Sequence, residues 1–413
     1  MTARSPLPAL AALASGTFAI GVTEFVVTGL LPEIARSYTV SIPTAGLLIS
    51  GYAIGVVVGS PVMTALVLRM PRRRVLIGLL LLFVAGNVLS GLAPDFATMM
   101  AGRVVAALCH GAFIGIASIV AGDLVTPERR SQAIAVMLTG LTVANVLGVP
   151  LGTLLGQLSG WRSTFWAISG LGVLAILAIA WRVPPTRADR GVRLRGQLRG
   201  FRRAQVWLAL TMTALSFGSV YATLTYVAPL MTERAGFAST DLTWILAVFG
   251  CALVVGNLVG GRAADRALMW TLCSALPALT ATFVVFFFGV DGPVTALPIF
   301  LVIGFLGFAT VPGLTTRVIT SAGDEGEVLA SSAAVAAFNL GNAAGAYLGG
   351  RVIAFGWGYP STSLVSATMS ALAFCVALAS AGLSARTRRS ADLPVVTGPS
   401  RTTGRTPSGR PGR

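Results

Sequence analysis

The chain has 413 residues, of which 55% are apolar and only 11% are charged. Soluble domains carry about 25% charged residues, so this composition excludes a soluble globular protein, whose water-exposed surface it could not cover. A disordered chain is excluded as well, because such chains are polar and rich in charge. The composition therefore predicts an integral membrane protein.

Twelve apolar segments are long enough to cross a bilayer, for which a helix needs about 20 apolar residues. The segments are continuously apolar and do not alternate with polar residues, which favours helices over the strands of a membrane barrel. The first segment is longer than the core of a signal peptide, and we expect it to remain as a spanning helix. In chain order the predicted spans cover residues 8–31, 43–68, 75–93, 97–122, 132–157, 164–183, 206–230, 241–262, 269–290, 295–317, 329–354 and 361–383.

A polar, arginine-rich segment separates the first six predicted spans from the other six. We therefore predict an N-terminal six-helix bundle over residues 1–183, a cytoplasmic linker over 184–204 and a C-terminal six-helix bundle over 205–383. Residues 384–413 are rich in Arg, Ser, Thr, Gly and Pro, a composition typical of a disordered cytoplasmic tail. The arginines of this tail would attract anionic membrane lipid, and a dispensable, solvated tail is the alternative.

The basic residues predict how the spans are oriented in the membrane. All 30 basic residues are arginines, and the net charge is +16. If the N-terminus lies in the cytoplasm, 25 of the arginines fall in cytoplasmic segments and four in external segments. The positive-inside rule then predicts a multi-pass protein of the plasma membrane with both termini in the cytoplasm. The same distribution explains the basic charge without a nucleic-acid partner.

The two halves of the chain resemble each other at an offset of 197 residues. Pro32 and Pro229 stand near the ends of the first and seventh spans, and Arg69 and Arg266 follow the second and eighth spans. Glycines at four-residue spacing recur in the second and fifth span of each half, where they would let helix backbones approach closely. Duplicated halves predict a substrate site near the membrane midplane, at the interface between them.

Ionisable residues inside membrane spans are costly and are candidates for function. Glu24 in the first span and Arg103 in the fourth are expected at similar depth, and His110, the only histidine, follows in the fourth span. We predict that Glu24 is a proton site and Arg103 its coupling partner. The alternatives are a static ion pair and a pair that binds polar substrate. His110 either contacts protons or substrate, or packs as a neutral residue.

Polar and aromatic residues of other spans are candidates for a substrate cavity. The asparagines either line such a cavity or form hydrogen bonds between helices. The tyrosines either line it or anchor the helices at the membrane surface. The predicted substrate-binding residues are Tyr52, Asn145, Tyr221, Tyr226, Asn339 and Asn342.

The sequence contains no pattern typical of catalysis. There is no phosphate-binding loop, no cluster of Cys and His at metal-binding spacing, and no nucleotide-binding domain that could drive a pump. One histidine and 14 carboxylates, nearly all in loops, offer little for enzymatic chemistry. We therefore predict that the protein is not an enzyme and uses neither a cofactor nor a metal ion.

Twelve spans in two halves resemble the major facilitator superfamily. The segment from Arg69 to Arg74 resembles the basic part of its loop motif G-x-L-A-D-R-x-G-R-R, although Leu68 stands in place of the acid. Asp123, at the cytoplasmic end of the fourth span, is a candidate partner for these arginines. The resemblance implies a cytoplasmic gate built from Arg69, Arg72, Arg73, Asp123, Asp265 and Arg266.

Further motifs are similar to the AraJ-type branch of the twelve-span drug:proton antiporter family, near chloramphenicol exporters. They include Thr23-Glu24-Phe25, Gly102-Arg103, the segment from His110 to Gly115, and Phe338-Asn339-Leu340-Gly341. In this family the arginine at the position of Arg103 is linked to proton coupling. The fifth span carries a variant of the antiporter motif in Gly140, Gly148, Pro150 and Gly152.

The resemblance implies a secondary transporter that exports small molecules by proton antiport with alternating access. Its expected partners are membrane lipid, protons and a small substrate, such as chloramphenicol, a sugar or a nucleoside. One alternative is a proton-coupled importer of a small polar solute on the same fold, and another is a membrane sensor that transports nothing. Because each pair of bundles closes its own pathway, we expect a monomer.

Overall fold

The computed structural model describes residues 6–67, 70–126, 129–185, 200–323 and 327–391. These residues form long helices joined by short loops, and no strand occurs among them. Ten helical segments of this described chain are long and apolar enough to cross a membrane. The prediction of an all-helical membrane protein is confirmed.

Nine helices build the first half of the described chain. The predicted fourth span consists of α5 and α6, between which Cys109 keeps right-handed helical angles, with φ −81° and ψ −21°, and the predicted fifth span contains a π-helical turn at Ala144–Gly148. The helices are α1 (Leu7–Gly29), α2 (Leu31–Ser37), α3 (Ile42–Val67), α4 (Arg72–Leu92), α5 (Phe96–Leu108), α6 (His110–Asp123), α7 (Arg130–Val143), α8 (Val149–Ser159) and α9 (Trp161–Arg182).

The second half contains α10 (Ala204–Leu224), α11 (Leu242–Gly289), α12 (Pro293–Ala322), α13 (Glu327–Ala354) and α14 (Ser361–Ala391). α11 contains both the eighth and the ninth predicted span, and its backbone leaves helical geometry at Ala267, with φ −154° and ψ 75°. α10 ends before the predicted boundary at 230, and the helical turns Val227–Pro229 and Leu230–Arg234 follow it. α13 forms the predicted eleventh span.

Two predicted segments lie largely outside the described residues. The structure describes the linker only up to 185 and from 200 onward, and it describes nothing beyond Ala391. α14 itself continues to Ala391, past the predicted boundary at 383. The linker and the tail therefore stay sequence-based predictions.

Glycine contacts pair the helices in the same way in both halves. In the first half, a Cβ added to Gly59 on α3 would collide with the backbone of Leu108 on α5. In the second half, a Cβ added to Gly260 on α11 would collide with the backbone of Ala309 on α12. The second span therefore packs on the fourth in one half, and the eighth packs on the tenth in the other.

A second pair of glycine contacts repeats in the same manner. A Cβ at Gly148, in the fifth span, would collide with Val22 on α1. A Cβ at Gly345 on α13 would collide with the carbonyl of Gly218 on α10. The fifth span packs on the first, and the eleventh packs on the seventh, which supports the internal repeat seen in the sequence.

Replacing Gly345 tests how closely α10 and α13 must approach. A valine there would collide with the backbone at Gly218, which cannot turn aside as a flexible side chain can. We expect Gly345→Val to lower the free energy of unfolding by about 1–3 kcal/mol or more, measured as a lower thermal midpoint of the purified protein. Gly78→Val is the matched control, because no atom lies within 4 Å of a Cβ added at Gly78. Equal midpoints for both variants would contradict the close approach.

The two halves are joined at one end of the bundle, called here the distal end, which carries the loops at residues 38–41 and 355–360. The opposite end, called proximal, carries residues 124–126 after α6 and Gly323 after α12. Ser50 Oγ donates to the carbonyl of Ala343 at 3.1 Å, between α3 and α13. Gln157 Nε2 donates to the carbonyl of Ser239 at 2.8 Å, between α8 and the segment before α11. Both contacts join the halves on the distal side of the middle of the helices.

Candidate functional site

Glu24 lies close to His110 and next to a contact between the two halves. The side chain of Glu24 is 12% exposed, although the residues around it on α1 are mostly buried. Glu24 Oε2 lies 3.9 Å from Nε2 of His110, whose side chain is 5% exposed. His110 is the first residue of α6, in the middle of the predicted fourth span.

Arg103 is completely buried beside this pair. Its Nη1 donates to the backbone carbonyl of Thr23 at 2.6 Å. Its guanidinium carbon lies 4.2 Å from the centre of the Tyr52 ring, a distance typical of a cation–π contact. Nε and Nη2 have no hydrogen-bond partner among the described residues. Arg103 therefore holds the backbone immediately before Glu24 and keeps two donors unused.

Tyr52 connects Arg103 to His110. Its hydroxyl oxygen lies 3.2 Å from His110 Nδ1, and its ring stacks under the guanidinium of Arg103. Glu24, His110, Tyr52 and Arg103 thus form one continuous polar cluster from four helices of the first half, called here the Glu24 cluster. Glu24 and Arg103 also act on each other through space. The sequence-predicted coupling residues are brought together, with Tyr52 between two of them.

Asn87 supports the cluster and was not identified from the sequence. Thr23 Oγ1 donates to Asn87 Oδ1 at 3.2 Å, and Asn87 Nδ2 donates to the carbonyl of Phe83 at 2.9 Å. Both Thr23 and Asn87 are buried, so these bonds fix α1 against α4 at the level of Glu24. The sequence signal was an asparagine in the middle of the third apolar span.

An aromatic group from the second half faces Glu24. Phe25, the neighbour of Glu24, lies 6.1 Å from Tyr221 of α10 between ring centres, so the two halves touch here. Phe217 packs beside Tyr221 at 5.6 Å and contacts Phe338 at 4.8 Å and Phe308 at 5.5 Å. The hydroxyl of Tyr221 is buried with no partner among the described residues. Periodicity could not separate these phenylalanines from ordinary core residues.

Three predicted asparagines lie in the spans, and two of them make only local bonds. Asn145 Nδ2 donates to the carbonyl of Leu141, and Asn339 Nδ2 donates to the carbonyl of Val335, each one turn earlier on its own helix. Asn339 and Asn342 are buried, and the Oδ1 atom of each lacks a partner among the described residues. Two buried acceptors therefore stay available on α13.

Tyr226 lies away from the Glu24 cluster, in the distal contact between the halves. Its hydroxyl donates to the carbonyl of Ala346 at 2.8 Å, and its side chain is fully buried. Added Cβ atoms at Gly46 on α3 and Gly350 on α13 would both collide with the Tyr226 hydroxyl. The structure thus places Tyr226 in a closure between two glycines.

The arginines of the loop motif contact helices of the first half at the proximal end. Arg72 on α4 forms an ion pair with Asp123 on α6, and Arg73 donates to the carbonyl of Ala180 on α9. Arg69 lies outside the described residues. In the second half, Asp265 and Arg266 are both exposed, beside the kink at Ala267.

Removing the ion pair between Arg72 and Asp123 is expected to have a small effect. Both side chains are partly exposed, and such pairs contribute about 1 kcal/mol or less. We expect Asp123→Asn to lower the thermal midpoint slightly, and the swap Arg72→Asp with Asp123→Arg to restore it. A swapped protein that is less stable than Asp123→Asn would contradict a purely electrostatic pairing.

The antiporter-like motif of the fifth span packs against α1. Added Cβ atoms at Gly140, Gly148 and Gly152 would collide with Ala14, Val22 and Val26 of that helix. The π-helical turn at Ala144–Gly148 ends just before Pro150, which has no N–H to complete the regular helical pattern. The motif thus holds a distorted helix tightly against the helix that carries Glu24.

Comparison with known proteins agrees with this architecture. Residues 13–346 match the family model of the Major Facilitator Superfamily. The inner membrane transport protein YdhP of Escherichia coli (strain K12) is 41% identical over 372 residues, which cover 90% of this chain and 95% of YdhP. AraJ of Escherichia coli (strain K12) is 34% identical over 389 residues, which cover 94% of this chain and 98% of AraJ.

The chloramphenicol resistance protein of Streptomyces lividans is 37% identical over 344 residues, which cover 82% of this chain and 87% of that protein. Among solved structures, a bacterial homologue of the human lysosomal transporter Spinster, in an inward-facing and occupied conformation, shares the fold with a TM-score of 0.72. The two chains are 16% identical, and the match covers 91% of this chain and 97% of that one. The resemblance to AraJ and to a chloramphenicol resistance protein is confirmed. The chain belongs to the major facilitator superfamily, a family of multi-pass membrane proteins that transport small solutes and are not enzymes.

Proposed function

We propose that this transporter exports a small molecule in exchange for protons. The observation that carries the proposal is the position of Glu24, an acid 3.9 Å from His110 and next to the contact of Phe25 with Tyr221. A carboxyl group at this contact experiences a different environment whenever the halves rock against each other. Glu24 is therefore suited to take up a proton on one side and release it on the other.

The distal contacts describe one state of this cycle. If both termini are cytoplasmic, as the arginine distribution predicts, the closed distal end faces outward and substrate enters from the cytoplasm. When the halves rock to open the distal end, Glu24 takes up an external proton as the substrate leaves. After the return, binding of the next substrate promotes release of that proton into the cytoplasm. A single pair of bundles completes this cycle, so the transporter works as a monomer.

Arg103 links the acid to its surroundings in this proposal. Its bond to the Thr23 carbonyl fixes the backbone immediately before Glu24, and its stacking on Tyr52 reaches toward His110. A change in the charge of Glu24 therefore acts directly on a buried guanidinium with two unused donors. This arrangement supports Arg103 as the coupling partner and His110 as a further contact of the proton.

The aromatic group formed by Phe217, Tyr221, Phe308 and Phe338 favours a substrate with an apolar ring. Unpaired polar atoms close to the same level, on Tyr221 and Asn339, favour a substrate that also carries hydroxyl or amide groups. Chloramphenicol has both features, and a relative is named for resistance to it. We therefore place amphenicols first among the substrates, before sugars and nucleosides.

The proposal is tested in everted membrane vesicles that contain a fluorescent pH probe. After respiration acidifies the lumen, amphenicols, arabinose-type sugars, nucleosides and lipophilic cations are added one at a time. We expect at least one amphenicol to release protons from the lumen, and vesicles without the protein to show no release. Simultaneous uptake of the radiolabelled compound shows that it moves against the protons.

Three other outcomes would overturn the proposal. Protons that leave together with substrate preloaded in the lumen would indicate a symporter, which imports in the cell. Uptake of labelled substrate with no proton movement would indicate uncoupled transport. Binding of a compound to the purified protein with no flux in either direction would indicate a sensor.

A further inference from the structure

We infer that Tyr52 is a positioning residue that orients the imidazole of His110 toward Glu24, and that it does not contact substrate. The inference rests on the proposed proton site and names a residue on which that site depends. It changes the expected role of Tyr52, which the sequence placed among the substrate-binding residues.

The contacts of Tyr52 leave no surface for a substrate. Its side chain is 2% exposed. The hydroxyl is engaged by His110 Nδ1 at 3.2 Å, and the face of the ring is engaged by the guanidinium of Arg103 at 4.2 Å. Both the polar and the aromatic part of Tyr52 are thus occupied within the Glu24 cluster. Tyr221 is equally buried, at 1% exposed, but its hydroxyl has no partner among the described residues, so the engaged hydroxyl of Tyr52, and not burial, distinguishes the two tyrosines.

The bond from Tyr52 and the carboxylate of Glu24 on the opposite side of the ring together select one tautomer of His110. A neutral imidazole carries its proton on one nitrogen, and the other nitrogen accepts a hydrogen bond. If the Tyr52 hydroxyl donates to Nδ1, the proton lies on Nε2, which is the nitrogen 3.9 Å from Glu24 Oε2. While Glu24 is ionised, the opposite tautomer would direct the lone pair of Nε2 at a carboxylate oxygen, which is repulsive. The hydroxyl of Tyr52 thereby keeps a donor in front of the acid.

The contact with Arg103 explains why the hydroxyl that binds His110 is carried by an aromatic ring. The planar guanidinium rests on the ring and stays anchored to the Thr23 carbonyl, so the ring cannot turn away from His110 without losing this stacking. Arg103 thus positions Tyr52, Tyr52 positions His110, and His110 faces Glu24. The same arginine also holds the backbone before Glu24, which closes the cluster into a ring of contacts.

Nitrogen NMR tests the tautomer directly, because the chain contains a single histidine. The protein is labelled with ¹⁵N-histidine and purified through a tag that contains no histidine. We expect the wild-type signal of a neutral imidazole protonated on Nε2, and a mixture of both tautomers in Tyr52→Phe. Tyr221→Phe is the matched control and should leave the wild-type signal. Identical spectra of wild type and Tyr52→Phe, or a proton on Nδ1 in the wild type, would overturn the inference.

Transport measurements test the consequence. Phenylalanine keeps the ring under Arg103 and removes only the hydroxyl. We expect Tyr52→Phe to reduce proton-driven uphill transport about tenfold. Downhill transport should change less than about twofold, because a weaker coupling between proton and substrate affects only the transport that protons drive. An unchanged ratio of uphill to downhill transport in Tyr52→Phe would overturn the inference.

A double substitution separates orientation from packing. The amide of glutamine at position 110 reaches toward the place of Nε2 and has no tautomers, so Tyr52 has nothing to select there. We expect Tyr52→Phe to add no further loss of uphill transport in a His110→Gln background. If Tyr52→Phe caused as large a loss of uphill transport in the His110→Gln background as in the wild type, Tyr52 would act through packing alone and the inference would be overturned. If Glu24→Gln keeps uphill transport, the proposed proton site fails; if Glu24→Gln loses it but Tyr52→Phe does not, only the role of Tyr52 fails.

Discussion

Replacing Glu24 with glutamine is expected to reduce uphill transport strongly and to leave downhill transport of the same substrate in place. The amide has nearly the shape of the protonated carboxyl group, so the packing beside His110 and Phe25 is kept, but it cannot release a proton. We expect the uphill rate to fall roughly tenfold to a hundredfold, the range of a coupling free energy of about 1–3 kcal/mol. The rates are measured as substrate-dependent proton release and radiolabel uptake in everted vesicles.

Glu33→Gln provides the matched control for this experiment. Glu33 lies on α2 near the distal end, with its side chain 19% exposed and 3.8 Å from Arg36, so the same chemical change is made in a largely buried place outside the Glu24 cluster. We expect it to keep both uphill and downhill transport. Wild-type proton release by Glu24→Gln would exclude Glu24 as the proton site, and parallel loss of uphill and downhill transport would assign it to substrate binding alone.

Replacing Gly46 with valine is expected to hold the distal end open. The added side chain would collide with the Tyr226 hydroxyl, which is fully buried and fixed by its bond to Ala346. Overpacking of this kind costs about 1–3 kcal/mol, which changes the ratio of two conformations roughly 5- to 150-fold. Because the collision exists only when the halves meet, the cost falls on the distally closed state. We expect transport to slow accordingly, because the cycle requires that state.

Spin labels across the distal end measure this shift. Arg36→Cys on α2 and Trp357→Cys after α13 carry the labels, since both positions are exposed and belong to opposite halves. The four native cysteines are replaced first. We expect Gly46→Val to lengthen the distance between the labels, and Gly78→Val to leave it unchanged.

A second substitution identifies the cause of the shift. Tyr226→Ala removes the phenol against which the valine collides, so Gly46→Val combined with Tyr226→Ala is expected to bring back the short distance between the labels. A long distance that persists in the double variant would place the collision elsewhere. An unchanged distance in Gly46→Val itself would exclude Tyr226 as the closing residue.

The candidate proton site could be found in the sequence, but its contacts could not. Glu24, Arg103 and His110 stand out because charged and polar groups in apolar spans are costly and rarely retained without a role. The sequence suggested a direct pair of Glu24 with Arg103. In the structure, Arg103 binds the Thr23 carbonyl and the Tyr52 ring, and His110 lies 3.9 Å from the acid. Which partner a buried charge selects depends on helix rotation, and no spacing within one span encodes that.

Tyrosines at similar positions proved to have different surroundings. Tyr52 belongs to the Glu24 cluster, Tyr221 to the aromatic group of the second half, and Tyr226 to the distal closure. Each is an amphipathic residue in an apolar span, so composition and periodicity describe all three in the same way. The neighbours that distinguish them come from other helices, and for Tyr226 they include glycines of both halves.

Three properties can be read from the amino-acid sequence without a structure: the chain is helical and membrane-embedded, its halves resemble each other at an offset of 197 residues, and few charges lie within its spans. These properties follow from local quantities, because hydropathy, arginine placement and glycine spacing act within a single span or between copies of it. Two features are seen only in the folded protein: the halves meet at the distal end around Tyr226, and Tyr52 lies between Arg103 and His110. Those contacts join residues from separate spans, and their formation depends on how closely glycine-lined helices pack and on the direction in which each helix then turns its polar side chains.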